Sequence, residues 1–135
     1  MLGEVKLEEQ ASTDQPTTDG DSDSDARKPS PLVQLSVLEL EALMNDDAIR
    51  ELVDVRTEGE RAIATIDGFR LLDEAEHDRL TGLDVETPLV FLCHHGIRSQ
   101  QAAEYFRQRG FRNLYNVQGG IDAWSLLIDP TVPRY

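Results

Sequence analysis

The chain is short of sulfur nucleophiles: among 135 residues there is one cysteine, Cys93. A lone cysteine excludes an intramolecular disulfide and makes a reducing, cytoplasmic setting the default expectation. It also bears on mechanism, because anything that Cys93 picks up has no second thiol in the chain to resolve it and must leave to another molecule. Long apolar runs are missing as well. No stretch reaches the roughly eighteen apolar residues of a membrane-spanning helix, and the opening MLGEVKLEEQ lacks the basic head and apolar run of a secretory signal. Bases are scarce, with 13 Lys and Arg against 26 Asp and Glu, a formal net charge of −13. Eight acids and three bases fall in residues 1–31 (−5), and eighteen acids and ten bases in residues 32–135 (−8). Nucleic acid is therefore not an expected partner, since phosphate binding draws on clustered Lys and Arg. An anionic membrane surface is disfavoured for the same reason. Solubility is the simplest use of the acidity.

Large apolar side chains are almost absent between Gln10 and Pro31. Such a segment has too little to bury to offset its ordering entropy. Residues 1–31 are expected to form a disordered acidic leader or linker, and residues 32–135 a single folded domain. Leu2, Val5 and Leu7 alternate weakly, and without a partner they do not make a strand.

What is present reads as alternating helices and strands. Ser36-Val37-Leu38-Glu39 fits a capping box that opens a helix to about Asn45, with Val37, Leu40, Leu43 and Met44 at helical spacing. Leu52–Val55 reads as a short strand, and Thr57-Glu58-Gly59-Glu60 is a second capping box. A weak helix is expected over Glu74–Leu80. Leu89-Val90-Phe91-Leu92 follows Pro88 and is apolar on both alternating faces, as suits a central strand covered on both sides. A helix from Ser99 to about Arg109 stops at Gly110, Leu114–Val117 reads as another strand, and Gly119-Gly120 turns into a last helix through Trp124, a core residue. The fold class is therefore α/β, with a central parallel sheet flanked by helices.

Chemistry concentrates on Cys93-His94-His95-Gly96-Ile97-Arg98-Ser99, which joins the buried strand to the next helix. Ligands of open parallel sheets sit outside the carboxyl ends of the strands. A cysteine reacts as thiolate, so it needs surroundings that favour negative charge. A loop wound at a helix N-terminus supplies unpaired N–H groups and the positive end of the dipole. Gly96 lets those amides converge, and Arg98 adds a formal charge. A lowered Cys93 pKa and a pocket for an anionic sulfur species are expected. His94 and His95 either line the pocket mouth, where an imidazolium would favour the thiolate, or are solvated loop residues. Arg98 either meets an anionic donor or holds the loop. Asp54 and Arg56 read as a supporting ion pair rather than an acid–base pair.

The C-H-H-G-I-R-S loop after a buried strand resembles the active-site loop of the rhodanese family of sulfurtransferases. Leu52-Val53-Asp54-Val55-Arg56 and Gly119-Gly120-Ile121-Asp122-Ala123-Trp124 match two further family motifs in the right order, so that the resemblance spans about Leu35 to Trp124. It implies the rhodanese fold, with helices on both faces of the sheet, and sulfur transfer through a persulfide on Cys93 that is anchored by the backbone of His94 to Ser99. It also implies a small sulfur donor such as thiosulfate, or a protein persulfide donor, and an external thiol or cyanide-like acceptor. Many family members carry His-Ile-Pro-Gly where this chain has Thr65-Ile66-Asp67-Gly68, a departure that bears on acceptor preference. More narrowly, the Cys-His-His-Gly loop with the ending Val132-Pro133-Arg134-Tyr135 is similar to rhodanese modules appended to bacterial monothiol glutaredoxins. That similarity points to glutaredoxin or iron–sulfur proteins as partners.

Three other readings of the loop compete. Cysteine phosphatases resemble one another in placing five residues between cysteine and arginine, whereas four lie between Cys93 and Arg98, too tight for a tetrahedral phosphate. A metal site from Cys93, His94 and His95 would ask adjacent residues on one loop to converge on a tetrahedral ion, and neither metal nor organic cofactor is expected. A binding or regulatory module without turnover is the remaining alternative.

Overall fold

The structure, a computed structural model, describes residues 32–48 and 50–135. The expected leader and the weak Leu2–Leu7 alternation lie outside the described residues. Among the described residues five strands and five helices follow one another: β1 (Val33–Leu35), α1 (Val37–Met44), β2 (Glu51–Asp54), α2 (Glu58–Ile63), β3 (Arg70–Leu71), α3 (Glu74–Thr81), β4 (Leu89–Leu92), α4 (Ile97–Gln108), β5 (Leu114–Val117) and α5 (Gly120–Leu127). All strand pairs are parallel, in the order β1-β5-β4-β2-β3. The expected α/β architecture is therefore observed.

Local chemistry explains most of the boundaries. Ser36 caps α1, its hydroxyl accepting from Glu39 N–H at 3.1 Å while the Glu39 carboxylate accepts from Ser36 N–H at 2.8 Å. Thr57 and Glu60 repeat this reciprocal arrangement at α2. Each pair satisfies amides that a helix start leaves unpaired. Four expectations need adjustment. The strand expected at Leu52–Val55 runs Glu51–Asp54, and α4 begins at Ile97 rather than Ser99, because Gly96 takes a left-handed conformation at the N-cap. Helix α5 runs on to Leu127, three residues past Trp124. Strands β1 and β3, three and two residues long, carry too few residues to show a period, and their pairing partners come from elsewhere in the sheet.

Strand β4 sits at the centre, and all four of its side chains are buried. Val90 and Leu92 join one cluster with Val37 and Leu40 of α1 and Ile121 and Trp124 of α5. Leu89 and Phe91 join a second with Leu80 of α3 and Ala103 and Phe106 of α4. Helices thus cover both faces, and the alternation of β4 is apolar-in on each side, as a two-sided parallel strand requires. The chain leaving β2 packs Ala64 and Ile66 into the first cluster, whereas the chain leaving β4 packs α4 into the second. Connections that depart to opposite faces from neighbouring strands open a crevice at their carboxyl ends. Asp54, the last residue of β2, and Cys93, the first after β4, stand on either side of it, with Asp54 registered against Leu92.

Candidate active site

Two helix N-termini converge on the loop that holds Cys93, and neither has a side-chain cap. At α4 the sulfur takes the capping role. Gly96 N–H donates to Cys93 Sγ at 3.0 Å, and the Ser99 hydroxyl lies 3.2 Å from the same atom. At α5 the amides hold the backbone of the loop: Ile121 N–H donates to Cys93 O at 2.9 Å and Asp122 N–H to His94 O at 3.1 Å. Two glycines make this possible. Gly96, at φ 100°, has the N–H of Gly119 and the carbonyl of Val117 3.2 Å from where a Cβ would stand. Gly120, at φ 62°, rests directly on the carbonyls of Cys93 and His94, which a Cβ would overlap.

Cys93 is 1 % exposed. Burial alone pushes its thiol up. The hydrogen bonds from the Ser99 hydroxyl and from the N–H groups of Ser99, Gly96 and His95 outweigh that, so the net direction is down from an ordinary thiol. The Ser99 hydroxyl also lies 2.5 Å from Asn116 Oδ1. It has one proton, so it can donate to Asn116 or to Cys93, but not to both. Asn116 in turn donates to Gly96 O and to Gln34 Oε1, both at 3.0 Å, and this fixes which of its atoms faces Ser99.

The rim is built from side chains. Cys93, His94, His95, Ile97 and Arg98 line a cavity of about 290 Å³. His94 stacks between His95 and Tyr135, with ring centroids 3.9 Å away on each side, while His95 is 59 % exposed and Ile97 71 %. Burial and the neighbouring His95 hold His94 below the usual imidazole range. Both histidines line the cavity, His94 within the ring stack and His95 open to solvent. Arg98 forms a bidentate pair with Glu60, at 2.8 Å for each nitrogen. Asp54 is fully buried and receives Arg56 (Nε 3.0 Å, Nη2 2.8 Å) and Arg61 (2.9 Å). Arg56 reaches on to Ala64 O and the Tyr135 hydroxyl. Asp54 and Arg56 are thus ion-paired, at 2.8 Å.

One group among the described residues brings possible ligand atoms together: His94, His95 and Asp122 have one each within 4.8 Å. Both Asp122 oxygens already face Arg134, which holds that carboxyl below its ordinary range, and the two imidazoles lie stacked. An ion would have to compete with Arg134 for the Asp122 carboxylate. Three participants escape a reading of the sequence. Glu60 is explained in full by its capping box, Asn116 sits inside an otherwise apolar strand, and Tyr135 belongs to a proline-punctuated tail. A polar residue at a buried strand position is the single local signal, and it points at Asn116 alone.

Residues 36–127 match the family model described as rhodanese-like domain. The chain is 39 % identical over 75 residues to thiosulfate sulfurtransferase GlpE of Pseudomonas aeruginosa, covering 55 % of this chain and 68 % of that one. It is 34 % identical over 113 residues to rhodanese-like/PpiC domain-containing protein 12, chloroplastic, of Arabidopsis thaliana, across 78 % of this chain and 38 % of the plant protein's length. In structure it is similar to a rhodanese-like domain protein of Staphylococcus aureus, with a TM-score of 0.60 and 28 % identity over 68 % of this chain and 90 % of that one. No helix among the described residues is long and apolar enough to cross a membrane. Motifs, topology and these matches agree: the chain belongs to the rhodanese-like family of sulfurtransferases.

Proposed function

We propose that this protein moves sulfane sulfur from a donor to an external nucleophile through a persulfide on Cys93. The observation that carries the proposal is the ring of amides around one sulfur atom, with N–H groups of His95, Gly96 and Ser99 and the Ser99 hydroxyl directed at Cys93 Sγ. The Cys93 thiolate attacks the outer sulfur of the donor, forming a new S–S bond as the donor's own S–S bond breaks. The leaving group departs with the electron pair of that bond, as sulfite from thiosulfate or as a thiolate from a persulfide. Cys93 then carries a terminal sulfur whose negative charge meets the same helix-start amides. An incoming thiol or cyanide-like nucleophile attacks that sulfur and restores the thiolate. With no second cysteine in the sequence, the acceptor comes from another molecule. Two displacements through a covalent intermediate make the kinetics ping-pong. Thiol-handling partners such as glutaredoxin or iron–sulfur proteins, in a cytoplasmic setting, suit an acceptor of this kind.

The test is intact mass after incubation with thiosulfate or with an alkyl persulfide, beside Cys93→Ser. A gain of about 32 Da that cyanide reverses with release of thiocyanate, and that the variant lacks, is the expected outcome. No gain from either donor would overturn the proposal and leave a binding module.

A further inference from the structure

Residues 32–135 contain no lysine, so among the described residues every fixed cation near the site is an arginine. Each of those at the rim already has a carboxylate. Arg56 and Arg61 are held by Asp54, Arg134 by Asp122, and Arg98 by Glu60. Arg98 is the arginine that lines the cavity over Cys93. Its partner is itself fixed from three more directions. Glu60 Oε1 accepts from Thr57 N–H at 3.1 Å and Thr57 Oγ1–H at 3.2 Å, and Oε2 accepts from the Tyr135 hydroxyl at 2.9 Å. The paired Arg98 holds the Glu60 carboxyl well below the usual carboxylate range.

We propose that Glu60 is a positioning residue that sets donor choice: by clamping Arg98 it makes Cys93 selective for the persulfide of a thiol over thiosulfate. This rests on the persulfide reading above. Thiosulfate brings a sulfonate into the rim as well as a sulfur to the floor, and that sulfonate needs a free cation or donor there. R–S–SH brings no charged group beside its reacting sulfur, and the loop amides suffice for that sulfur. The transfer balances without a further reagent: Cys93–S⁻ and R–S–SH give Cys93–S–SH and R–S⁻. Tyr135, through its bond to Glu60 and its stack on His94, belongs to the same clamp although it lies beyond the residues that match the family model.

The experiment compares Glu60→Gln with the parent protein, using thiosulfate and 2-hydroxyethyl persulfide as donors and loading of Cys93 by intact mass as the readout. Glutamine at the third helical position can still close a capping box, so α2 should persist. Freeing the charged bidentate group should raise the ratio of kcat/KM for thiosulfate to that for the persulfide by about tenfold, mainly through KM for thiosulfate. Glu60→Asp should restore part of the parent ratio. Glu60→Gln with Arg98→Met should lose the gain, which shows that Glu60 acts through Arg98. Tyr135→Phe loosens Glu60 without touching the cap and should move the ratio the same way by a smaller factor. A ratio unmoved in both Glu60→Gln and Tyr135→Phe, while both donors still load Cys93, would overturn the clamp and leave the persulfide function standing. Failure of both donors to load the parent protein would instead bring down the function and the clamp together.

Discussion

The floor and the rim of the site are built by different means. The floor, from Cys93 to Ser99, is one stretch of chain whose backbone amides surround its own first residue, and the contacts that count span two to six residues. The rim is made of side chains that meet from far apart: Arg98 with Glu60 across 38 positions, Glu60 with Tyr135 across 75, and Arg56 with Tyr135 across 79. The contrast teaches where variation can act. A cradle made mostly of backbone amides depends little on the flanking side chains, Ser99 excepted. A rim of paired charges can be retuned one residue at a time, so it is suited to deciding which donor or acceptor is admitted.

The comparison can be broken from either side. The largest effect is expected at the root of the rim. Asp54→Ala leaves Arg56 buried without its counter-charge, and loss of one partner of a buried pair costs about 3–5 kcal/mol. Denaturant titration should show that loss, while the Cys93 pH limb stays with the floor. If the limb moved as far as in a floor variant, the two regions would be one unit. Next comes Gly120→Ala, which presses a methyl group onto the Cys93 and His94 carbonyls at a positive φ. A cost of about 2–4 kcal/mol follows from left-handed strain and overpacking together. Loading by thiosulfate and by a persulfide should fall by the same factor, and a change in donor preference would show that floor and rim are not separable.

The finest test is Ser99→Ala. Because the Cys93 pKa is lowered, the loading rate should rise with pH and level off below the range of an ordinary thiol. The Ser99 hydroxyl favours the charged form, so its removal should move that limb to higher pH and slow loading near neutrality by about tenfold, the scale of a hydrogen bond to an ion. Stopped-flow loading across pH 5 to 10 measures it. An unmoved limb would mean that the hydroxyl proton stays on Asn116 in both states of the thiol, which leaves the amides alone to stabilise the thiolate.

Local rules made much of this legible. Capping boxes at Ser36 and Thr57, the doubly apolar run of β4 and the stop at Gly110 are decided by neighbours within a few residues, and they place the helices and the central strand. The same locality made the cysteine loop readable, since a glycine-bearing turn between a buried strand and a helix is a pattern of adjacent residues. Helix α4 starts earlier than its polar residues suggest, because the sulfur of Cys93 stands in for the missing cap. A cap supplied by a residue outside the helix leaves no mark in the helix's own pattern.

From its sequence alone, then, this protein has its α/β class, the position of its candidate cysteine and the direction of the pKa shift expected there, because each depends on short-range periodicity, capping and the field of one helix start. Tertiary structure decided the short edge strands, the Asn116–Ser99 contact, the pairing of the described rim arginines and the contacts that join Glu60 to Arg98 and Tyr135. These depend on which side chains meet across the strand ends, and that is set by strand order and by the path of the tail rather than by any residue's immediate neighbours. A capping glutamate looks the same along the chain whether or not an arginine from 38 residues away closes on it.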